Sequence, residues 1–415
     1  MKIKASIPSF KECELEISKN AKISKLKNNV CKKFDIEKEL TKLLLNGKVL
    51  NEEKKVGEFL SDSDQIIVDY IWARQLILWG IEGQKEIRNS TIFIAGAGAL
   101  GNEVVKNLAM LGIRRLIIVD NDVVELSNTN RMIFFDKKDV GKSKAKVLAK
   151  KINKKFPFVE VWAADKTLEE VPVGYYLKSN LIISCLDNLL TRMHLTIIAR
   201  KYSIPIIDGG ISGYQARVQT YLPPNDPCFI CPFSIENYGQ FIGLRNACDG
   251  PIEEVKIPSF PTTISLTSSL QSQEAMKLLL GYKKYKEKGV WPKKTGKPLK
   301  GVWVADLDHN KYSIIDLKNN SSCFICGKDG LVKEQIQIHE FRIKELKDSS
   351  KKLFERIKNI SGKKIEKISF VDSFGELKEI KSERKLSDYQ LDKGERLHAI
   401  FEQEEDYKEI IIKII

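Results

Sequence analysis

Six residues from Gly96 to Gly101 have the spacing of a phosphate-binding loop. They read Gly-Ala-Gly-Ala-Leu-Gly and follow an apolar run, TIFIA. In a strand–turn–helix unit the first glycine permits the tight turn, the second lets a phosphate or ribose approach the backbone, and the third lets helix and strand pack closely. The free N–H groups at the helix start attract an anion. Gly96, Gly98 and Gly101 therefore predict a nucleotide site.

Charged residues after this loop indicate which nucleotide binds. Asp120 ends the next apolar run, RRLIIVD, where a carboxylate accepts hydrogen bonds from ribose hydroxyls. The segments SNTNR (127–131) and GKSK (141–144) then supply an arginine, which grips phosphate as a fork, and lysines, which act as point charges. Asp187, after a later apolar run, offers a hard oxygen ligand to a divalent cation. This set favours a nucleoside triphosphate.

The glycine motif by itself leaves a second interpretation open. A nicotinamide-dependent dehydrogenase has the same pattern. Such an enzyme also needs an acid or base for hydride transfer. None of the four histidines (194, 309, 339 and 398) lies in a recognisable motif.

Four of the eight cysteines form two Cys-x-x-Cys pairs, Cys228 with Cys231 and Cys323 with Cys326. In a chain without a visible export signal, such pairs favour structural zinc over disulfides, because each pair offers two thiolates to a tetrahedral ion. Two unrelated turns with free thiols are the alternative. If both pairs serve one ion, the ion joins segments far apart in the sequence.

These residues need a scaffold that brings strand ends together. Between residues 71 and 330, apolar runs (TIFIAGAG, RRLIIVD, NLIISCLDN, IPIIDGG) alternate with amphipathic segments such as GKSKAKVLAKKINKKF. This alternation predicts an α/β domain, a Rossmann-like doubly wound sheet with buried parallel strands.

Two smaller domains are predicted on either side. Residues 1–70 show two short strands, a helix with an apolar face from Ile23 to Phe34, a hairpin at Asn46-Gly47 and a last strand. This order resembles the β-grasp fold of ubiquitin, an α+β fold. In residues 331–415, KLSDYQLDKGERLHAIF (385–401) echoes the end of the first domain and predicts a second β-grasp. Coincidence between two short segments is the alternative there.

Composition excludes several classes of protein. Apolar residues make up 42% and charged residues 30% of the chain, so a wholly disordered protein is excluded. No apolar run approaches the roughly 18 residues of a membrane helix, and the start, MKIKASIPSF, lacks the apolar core of a secretory signal. We therefore expect a cytoplasmic protein with no membrane partner.

The net charge of +14 does not by itself indicate nucleic acid. Many of the lysines lie in one Gly- and Pro-broken stretch, 283–300, which we interpret as a solvated surface loop. Attraction of an acidic partner is the alternative. No nucleic-acid partner is predicted.

Residues 71–330 resemble the adenylating enzymes that activate ubiquitin-like proteins. These include the ThiF and MoeB adenylyltransferases of thiamine and molybdopterin sulfur carriers, and the ubiquitin-activating enzymes. The motifs that carry the resemblance are ARQ (73–75), GAGALG (96–101), DND (120–122), SNTNR (127–131), VGKSK (140–144), CLDN (185–188) and the two Cys-x-x-Cys pairs. Their order and spacing together are much more specific than any one of them.

The resemblance implies a role for each matching residue. Asp120 would bind the ribose of ATP, and Asp122 lies in the same nucleotide-binding motif. Asp187 would organise Mg²⁺, and Arg74 would reach into the site of a partner subunit, which implies a homodimer. The triphosphate would be gripped by Asn128, Arg131 and Lys144. The four paired cysteines would hold a structural Zn²⁺.

The resemblance also implies the reaction. The C-terminal carboxylate of a ubiquitin-like protein attacks the α-phosphate of ATP, giving an acyl-adenylate and pyrophosphate, with rate supplied by positioning and charge neutralisation. Transfer to a thioester on Cys248 is expected next, since the family carries its catalytic cysteine in this breaker-rich segment and loop exposure suits a reactive thiolate. An inert Cys248 is the alternative, because Asp249 would raise its pKa.

A C-terminal β-grasp after such a domain resembles the ubiquitin-fold domain that recruits a conjugating enzyme. No cysteine follows Cys326, which favours conjugation over sulfur transfer. The alternatives are a sulfur-carrier adenylyltransferase that forms no thioester, and an inactive scaffold that binds ubiquitin-like domains.

Overall fold

Residues 1–233, 258–346, 349–401 and 408–415 are described by a computed structural model of the chain. They fall into two compact units, Met1–Asn89 with Lys283–Gly296, and Ser90–Tyr282 with Lys297–Ile415. The three domain ranges predicted from the sequence divide the chain differently. The first helix after residue 70 groups with the N-terminal sheet, and residues 331–415 group with the α/β domain.

The N-terminal sheet has five strands in the order β2-β1-β5-β3-β4. Its elements are β1 (Lys2–Ile7), β2 (Lys11–Glu16), α1 (Ile23–Phe34), β3 (Thr41–Leu45), β4 (Lys48–Val49) and β5 (Gln65–Tyr70). The first and last strands, β1 and β5, pair in parallel at the centre. The sequence predicted this order of elements along the chain and, through its resemblance to ubiquitin, a β-grasp fold.

Two local signals account for this domain. The apolar face of α1 is fully buried, with no exposure at Ile23, Leu26, Val30 or Phe34. The β3–β4 hairpin turns at Asn46-Gly47, where both residues have positive φ (52° and 79°), a conformation that glycine and asparagine tolerate best.

The helix that follows, α2 (Ala73–Arg88), is tied to this domain near its end. Glu37 accepts hydrogen bonds from the Tyr70 hydroxyl at 2.6 Å and from Arg88 Nε at 3.2 Å, and Lys85 pairs with Asp35. The other end of α2 carries Arg74, which is exposed.

The α/β domain is built on an eight-stranded sheet in the order β13-β12-β11-β10-β9-β6-β7-β8. Its strands are β6 (Thr91–Ala95), β7 (Arg115–Val119), β8 (Glu160–Ala164), β9 (Leu181–Ser184), β10 (Ile206–Ser212), β11 (Gln215–Tyr221), β12 (Val302–Asp306) and β13 (Lys311–Ile315). Strands β6 to β10 pair in parallel, and β11 to β13 extend the sheet antiparallel. The order reverses between β6 and β9, which is where doubly wound sheets bind ligands.

Helices connect the parallel strands as the alternating pattern predicts. They are α3 (Ala99–Leu111), α4 (Lys144–Lys155), α5 (Val173–Lys178) and α6 (Leu189–Tyr202). A further helix, α7 (Pro261–Lys288), lies in the sequence between the antiparallel strands β11 and β12. Every residue of β6, β7 and β9 is buried, as continuous apolar runs predict for strands covered on both faces. Among the described residues no helix combines the length and the apolar character needed to span a bilayer.

The C-terminal domain has a second five-stranded sheet, in the order β14-β18-β17-β15-β16. Its elements are β14 (Ile338–Phe341), α8 (Ile343–Leu346), α9 (Ser350–Ser361), β15 (Ile365–Val371), β16 (Leu377–Glu379), β17 (Arg396–Phe401) and β18 (Lys408–Ile414). The run from α9 to β17 repeats the run from α1 to β5, including a short 3-10 helix before the last strand.

The two small domains differ at their centres. In the C-terminal sheet β18 lies between β14 and β17 and pairs antiparallel with β17, whereas in the N-terminal sheet β1 and β5 are parallel neighbours. The internal repeat seen in the sequence therefore covers the helix, the hairpin and the strand that follows. It does not cover the first hairpin.

Candidate active site

The glycine loop lies at the carboxyl end of β6 and leads directly into α3. Gly96 has φ +97°, and a Cβ there would lie 2.7 Å from the Cys185 carbonyl oxygen. A Cβ on Gly101 would lie 2.1 Å from the Gly96 carbonyl oxygen. Gly98 caps α3 and has no atom within 4 Å of an added Cβ, so the space beside it is open. The first and third glycines therefore serve packing, and the second leaves room for a ligand.

Asn102 stabilises this loop, and the sequence analysis did not single it out. The side chain is fully buried, and its amide nitrogen donates to the carbonyls of Ala97 at 2.8 Å and Gly98 at 3.0 Å. Its amide oxygen accepts the N–H of Phe134 at 3.3 Å. The only sign of this residue in the sequence was an asparagine directly after the third glycine.

Asp120 follows β7 and closes the other side of the loop. Its carboxylate accepts the N–H of Ala97 at 2.6 Å and the N–H of Asp122 at 2.8 Å. Burial raises the pKa of the Asp120 carboxyl, and the two N–H bonds work against that rise. The carboxylate is thus oriented beside the glycine loop by backbone N–H groups on both of its oxygens.

Lys144 reaches the same edge of the sheet through backbone pairing between two loops. The N–H of Lys144 donates to the Asp122 carbonyl at 2.9 Å, and the N–H of Gly141 donates to the Val124 carbonyl at 2.8 Å. The Lys144 amine lies 2.8 Å from Asp122 Oδ2, with 12% of the lysine side chain and 62% of the aspartate side chain exposed. A predicted cation and a predicted carboxylate of the site are therefore paired with each other.

Asn128 and Arg131 lie in and just after a 3-10 helix, Leu126–Asn130. Asn128 is only 3% exposed, and its Oδ1 accepts the N–H of Glu125 at 2.9 Å. Arg131 donates to the Ser127 carbonyl at 2.5 Å and to Asn130 at 3.1 Å. The side chain of Asn128 is therefore held in place through its oxygen. Its amide nitrogen remains as a donor for a phosphate.

Asp187 is exposed on the loop between β9 and α6, at the point where the strand order reverses. Arg192 holds this loop, because its guanidinium donates to the Leu186 carbonyl and to the Gly209 carbonyl. Two residues before Asp187, burial raises the pKa of the Cys185 thiol, which disfavours the reactive thiolate.

Arg192 is itself fixed by a buried carboxylate that the sequence analysis missed. Asp208, with no exposed surface, accepts Arg192 Nε at 3.0 Å and the Ser184 hydroxyl at 2.6 Å, and Arg217 lies 2.8 Å from its second oxygen. The sequence did indicate this residue. Asp208 follows the apolar run IPII, and a charge in a buried strand needs partners. These charges anchor the loop that carries Asp187.

The four paired cysteines meet in one cluster, although 95 residues separate Cys228 from Cys323. All four sulfur atoms lie within 4.8 Å of one another. Individual Sγ–Sγ distances are 3.6 Å for Cys228–Cys323 and 3.3 Å for Cys231–Cys326. Tetrahedral zinc with Zn–S bonds of about 2.3 Å separates its ligands by about 3.8 Å. The donor set and the spacing therefore fit Zn²⁺, and the two turns meet in one cluster as a shared ion would require.

Two predicted residues cannot be joined to this geometry. Cys248 lies outside the described residues. Arg74 belongs to the N-terminal unit, where it is exposed near the start of α2.

The sheet, its glycine loop and the polar residues at the strand ends define a class, the doubly wound nucleotide-binding α/β proteins. The chain belongs to the ThiF family, whose model matches residues 72–325. The ubiquitin family model matches residues 2–68, which confirms the ubiquitin-like N-terminal region.

Relatives include both kinds of enzyme weighed from the sequence. The NEDD8-activating enzyme E1 catalytic subunit of Saccharomyces cerevisiae is 39% identical over 34% of this chain and 50% of its own length. The adenylyltransferase and sulfurtransferase MOCS3-1 of Zea mays is 27% identical over 68% of this chain and 57% of its own. The SAMP-activating enzyme E1 of Haloferax volcanii is 28% identical over 61% of this chain and 86% of its own length. The chain thus spans about half the length of the yeast and maize relatives.

Among solved structures, Escherichia coli MccB with ATP is similar to this chain. It has a TM-score of 0.50 and 21% identity, over 62% of this chain and 74% of its own. At this identity the likeness shows a shared fold.

Proposed function

We propose that the protein activates a ubiquitin-like protein by ATP-dependent adenylation of its C-terminal carboxylate. The observation that carries the proposal is the group at the carboxyl ends of β6 and β7, where the glycine loop, Asp120 and the Asp122–Lys144 pair are joined by direct contacts. Membership of the ThiF family supports it, as do the relatives named activating enzymes and adenylyltransferases.

In this proposal a carboxylate oxygen of the modifier attacks the α-phosphorus of ATP. The bond from that phosphorus to the bridging oxygen breaks, and pyrophosphate leaves. Asp120 orients the ribose, while the N–H groups at the start of α3 face the phosphates. Lys144 exchanges Asp122 for phosphate oxygens, and Arg131 and Asn128 add donors. Positioning and charge neutralisation are thus what the chain contributes.

Asp187 is the residue that would hold Mg²⁺, which when bound neutralises charge between the phosphates. Exposure at a strand-end loop and the Arg192 anchor beneath it suit this role. The four cysteines would hold Zn²⁺ as a structural ion remote in sequence from the glycine loop.

The experiment that tests adenylation is pyrophosphate exchange. The chain is incubated with Mg-ATP, labelled pyrophosphate and each ubiquitin-like protein of the source genome, and the products are read by intact mass. We expect label in ATP, and one modifier that gains the mass of AMP. No exchange with any modifier, from a chain that still binds ATP, would count against the proposal and favour an inactive scaffold.

A thioester on Cys248 would follow adenylation, and a conjugating-type enzyme would accept the modifier from it. The alternative is a sulfur-carrier adenylyltransferase without thioester transfer, favoured by the match to MOCS3-1 over 68% of the chain. Cys248→Ala separates them. For the activating enzyme we expect adenylate formation to continue while a reductant-sensitive adduct disappears, whereas for the alternative the substitution changes neither product.

We also propose a cytoplasmic homodimer in which Arg74 acts in the partner subunit's site. Mixing Arg74→Ala chains with Lys144→Ala chains tests this proposal. If each site takes residues from both subunits, mixed dimers should regain activity that neither variant has alone. No recovery in a mixture shown by mass to contain mixed dimers would mean that Arg74 does not act across a dimer.

A further inference from the structure

The C-terminal domain uses the two faces of its sheet differently. One face packs on α9 in the domain's own core, whose strand members are Phe341, Ile368, Phe370, Leu397, Ala399, Phe401, Ile412 and Ile414. Side chains alternate between the faces of a strand, so Val371, His398 and Ile411 point the other way. Ile411 is 1% exposed and belongs to the core cluster of the α/β domain. The second face is therefore covered by the α/β domain.

A buried ion pair joins this face to α5. The Lys178 amine contacts both carboxylate oxygens of Glu395, at 2.8 and 2.7 Å, and also donates to the Val371 carbonyl at 3.2 Å. Only 11% of the lysine side chain and 6% of the glutamate side chain are exposed. Removing either partner would leave the other charge buried without a counter-charge, which is strongly unfavourable.

A second contact lies at the edge strand β8. The Arg115 guanidinium stacks 4.2 Å above the Trp162 ring, bonds Glu160 at 2.7 Å and donates to the Ser373 carbonyl at 3.4 Å. Gly375 packs so closely that an added Cβ would lie 2.7 Å from the Trp162 ring. The turn between β15 and β16 is thus fitted to one place on β8.

Tyr175 and Gly174 extend this contact along α5. The Tyr175 hydroxyl donates to the Gly375 carbonyl at 2.6 Å. A Cβ on Gly174 would lie 2.9 Å from a methyl carbon of Val371, so helix and sheet approach without a gap.

A third contact joins the end of α6 to β18. Glu409 accepts the Tyr202 hydroxyl at 2.8 Å and pairs with Lys201 and His398. The Ile336 N–H donates to the Lys201 carbonyl at 3.0 Å, which fixes the chain entering the C-terminal domain. Three separate groups of polar contacts, spread over α5, α6 and β8, oppose rotation of the domain.

We infer that the C-terminal domain is a fixed part of the α/β domain, and that the sheet face turned towards α5 is closed to any other protein. The inference about rigidity stands without the proposed function. Its consequence for partners rests on that function, because a conjugating enzyme recruited by this domain would have to use other surfaces. Transfer would then depend on motion of the modifier or the partner, and not on a swing of the C-terminal domain.

Hydrogen exchange on the full chain tests the contact itself. In the unsubstituted protein we expect α5 and β17 to be protected together. Glu395→Ala should speed exchange in both by at least tenfold, while Glu383→Ala, at an exposed glutamate of the same domain, should change neither. Rapid exchange of α5 in the unsubstituted chain, or no response to Glu395→Ala, would overturn the inference.

A disulfide lock tests whether the domain must move. Cysteines at 174 and 371 would lie close enough to bridge, because a Cβ added at 174 would lie 2.9 Å from a methyl carbon of Val371, near the place of a sulfur atom at 371. In the Gly174→Cys, Val371→Cys double variant we expect mild oxidation to yield a cross-linked peptide containing both positions. Each single variant is the control for other thiols.

The locked chain is then compared with its own reduced form. We expect pyrophosphate exchange and modifier transfer within twofold of each other in the two forms, with transfer read under conditions that keep the cross-link. Reactive thiols at 174 and 371 that never cross-link would overturn the inference, as would a locked chain that adenylates but has lost transfer. Absence of adenylation in both forms, together with a complete cross-link, would contradict the proposed function and leave the fixed domain supported.

Discussion

Lys144 is the residue whose surroundings change most if ATP binds as proposed. Its amine is paired with Asp122 at 2.8 Å, and a phosphate would replace that carboxylate. We expect Lys144→Ala to lower kcat/KM for pyrophosphate exchange by about 100-fold, the scale seen when a group that stabilises developing charge is removed. Lys144→Arg should retain more activity, because the charge remains.

Lys146, two residues later on α4, is the matched control. It is exposed and pairs with Asp165, so Lys146→Ala should leave exchange within twofold. Equal loss in both variants would mean that the general positive charge of α4 matters, and would remove the special role of Lys144.

The cysteine cluster gives a second prediction for single residues. Hydrogen bonds shared among the four thiols lower the pKa of Cys231 and Cys323 and raise the pKa of Cys228 and Cys326, so the four groups titrate as one unit. Cys323→Ser should reduce zinc from one ion per chain to none, measured by elemental analysis, and lower the free energy of unfolding by roughly 3 kcal/mol or more.

Cys13→Ser is the control for the cluster, since Cys13 lies half-buried on β2. It should keep full zinc content and stability. Zinc retained in Cys323→Ser would show that three sulfurs suffice or that the ion binds elsewhere.

At the scale of the element, the turn from β6 into α3 separates two uses of glycine. An added Cβ meets the Gly96 carbonyl oxygen 2.1 Å away at position 101 but meets nothing within 4 Å at position 98. We expect Gly101→Ala to push α3 from the loop and cost roughly 2 kcal/mol or more. Gly98→Ala should fold normally and weaken ATP binding, because its methyl would occupy the ligand's space.

Thermal unfolding and ATP titration of both variants provide the measurement. The expected pattern is a lower Tm for the first variant and an unchanged Tm with a raised KM for the second. The opposite pattern would mean that the loop binds ATP from another side.

The turn also shows how well short-range signals predict elements. The hairpin at Asn46-Gly47, the buried face of α1 and the parallel strands β6 and β7 all agree with the sequence. The hairpin and the helix face depend on residues within a few positions of one another, and the two strands are each a short apolar run. The centre of the C-terminal sheet was not predictable, because inserting β18 between β14 and β17 depends on pairing between residues far apart in the sequence.

At the scale of the whole molecule, Glu409 makes the attachment of the C-terminal domain sensitive to acid. Burial by itself would raise the pKa of its carboxyl, but hydrogen bonds from His398 and Lys201 lower it to about 2. The folded state therefore binds this proton less readily than the unfolded state, whose pKa is about 4.5. The resulting stability of about 3 kcal/mol is present above pH 4.5 and is lost as the pH falls towards 2.

Chemical unfolding of the intact chain between pH 2 and pH 6 measures this effect. Glu409→Gln should lower stability near pH 6 and flatten the pH dependence, whereas Glu355→Gln, at an exposed position on α9, should leave the profile unchanged. A profile that keeps its full slope in Glu409→Gln would assign the acid sensitivity to other carboxyls.

The sequence by itself determined the local chemistry of this protein. The glycine loop, the carboxylate that ends the following strand and the two Cys-x-x-Cys turns are each specified by a few neighbouring residues, so their spacing predicts the class of ligand that each suits. Membership of the ThiF family agrees with that chemistry.

Only the tertiary structure decided which distant groups meet. It brought the four sulfur atoms within 4.8 Å, buried Asp208 against Arg192, and paired Lys178 with Glu395. From the sequence, a charged residue could pair with many others. Strand order and register decide which of them lies beside it. Burial then makes that pairing costly to lose, since an unpaired charge away from water is strongly destabilising.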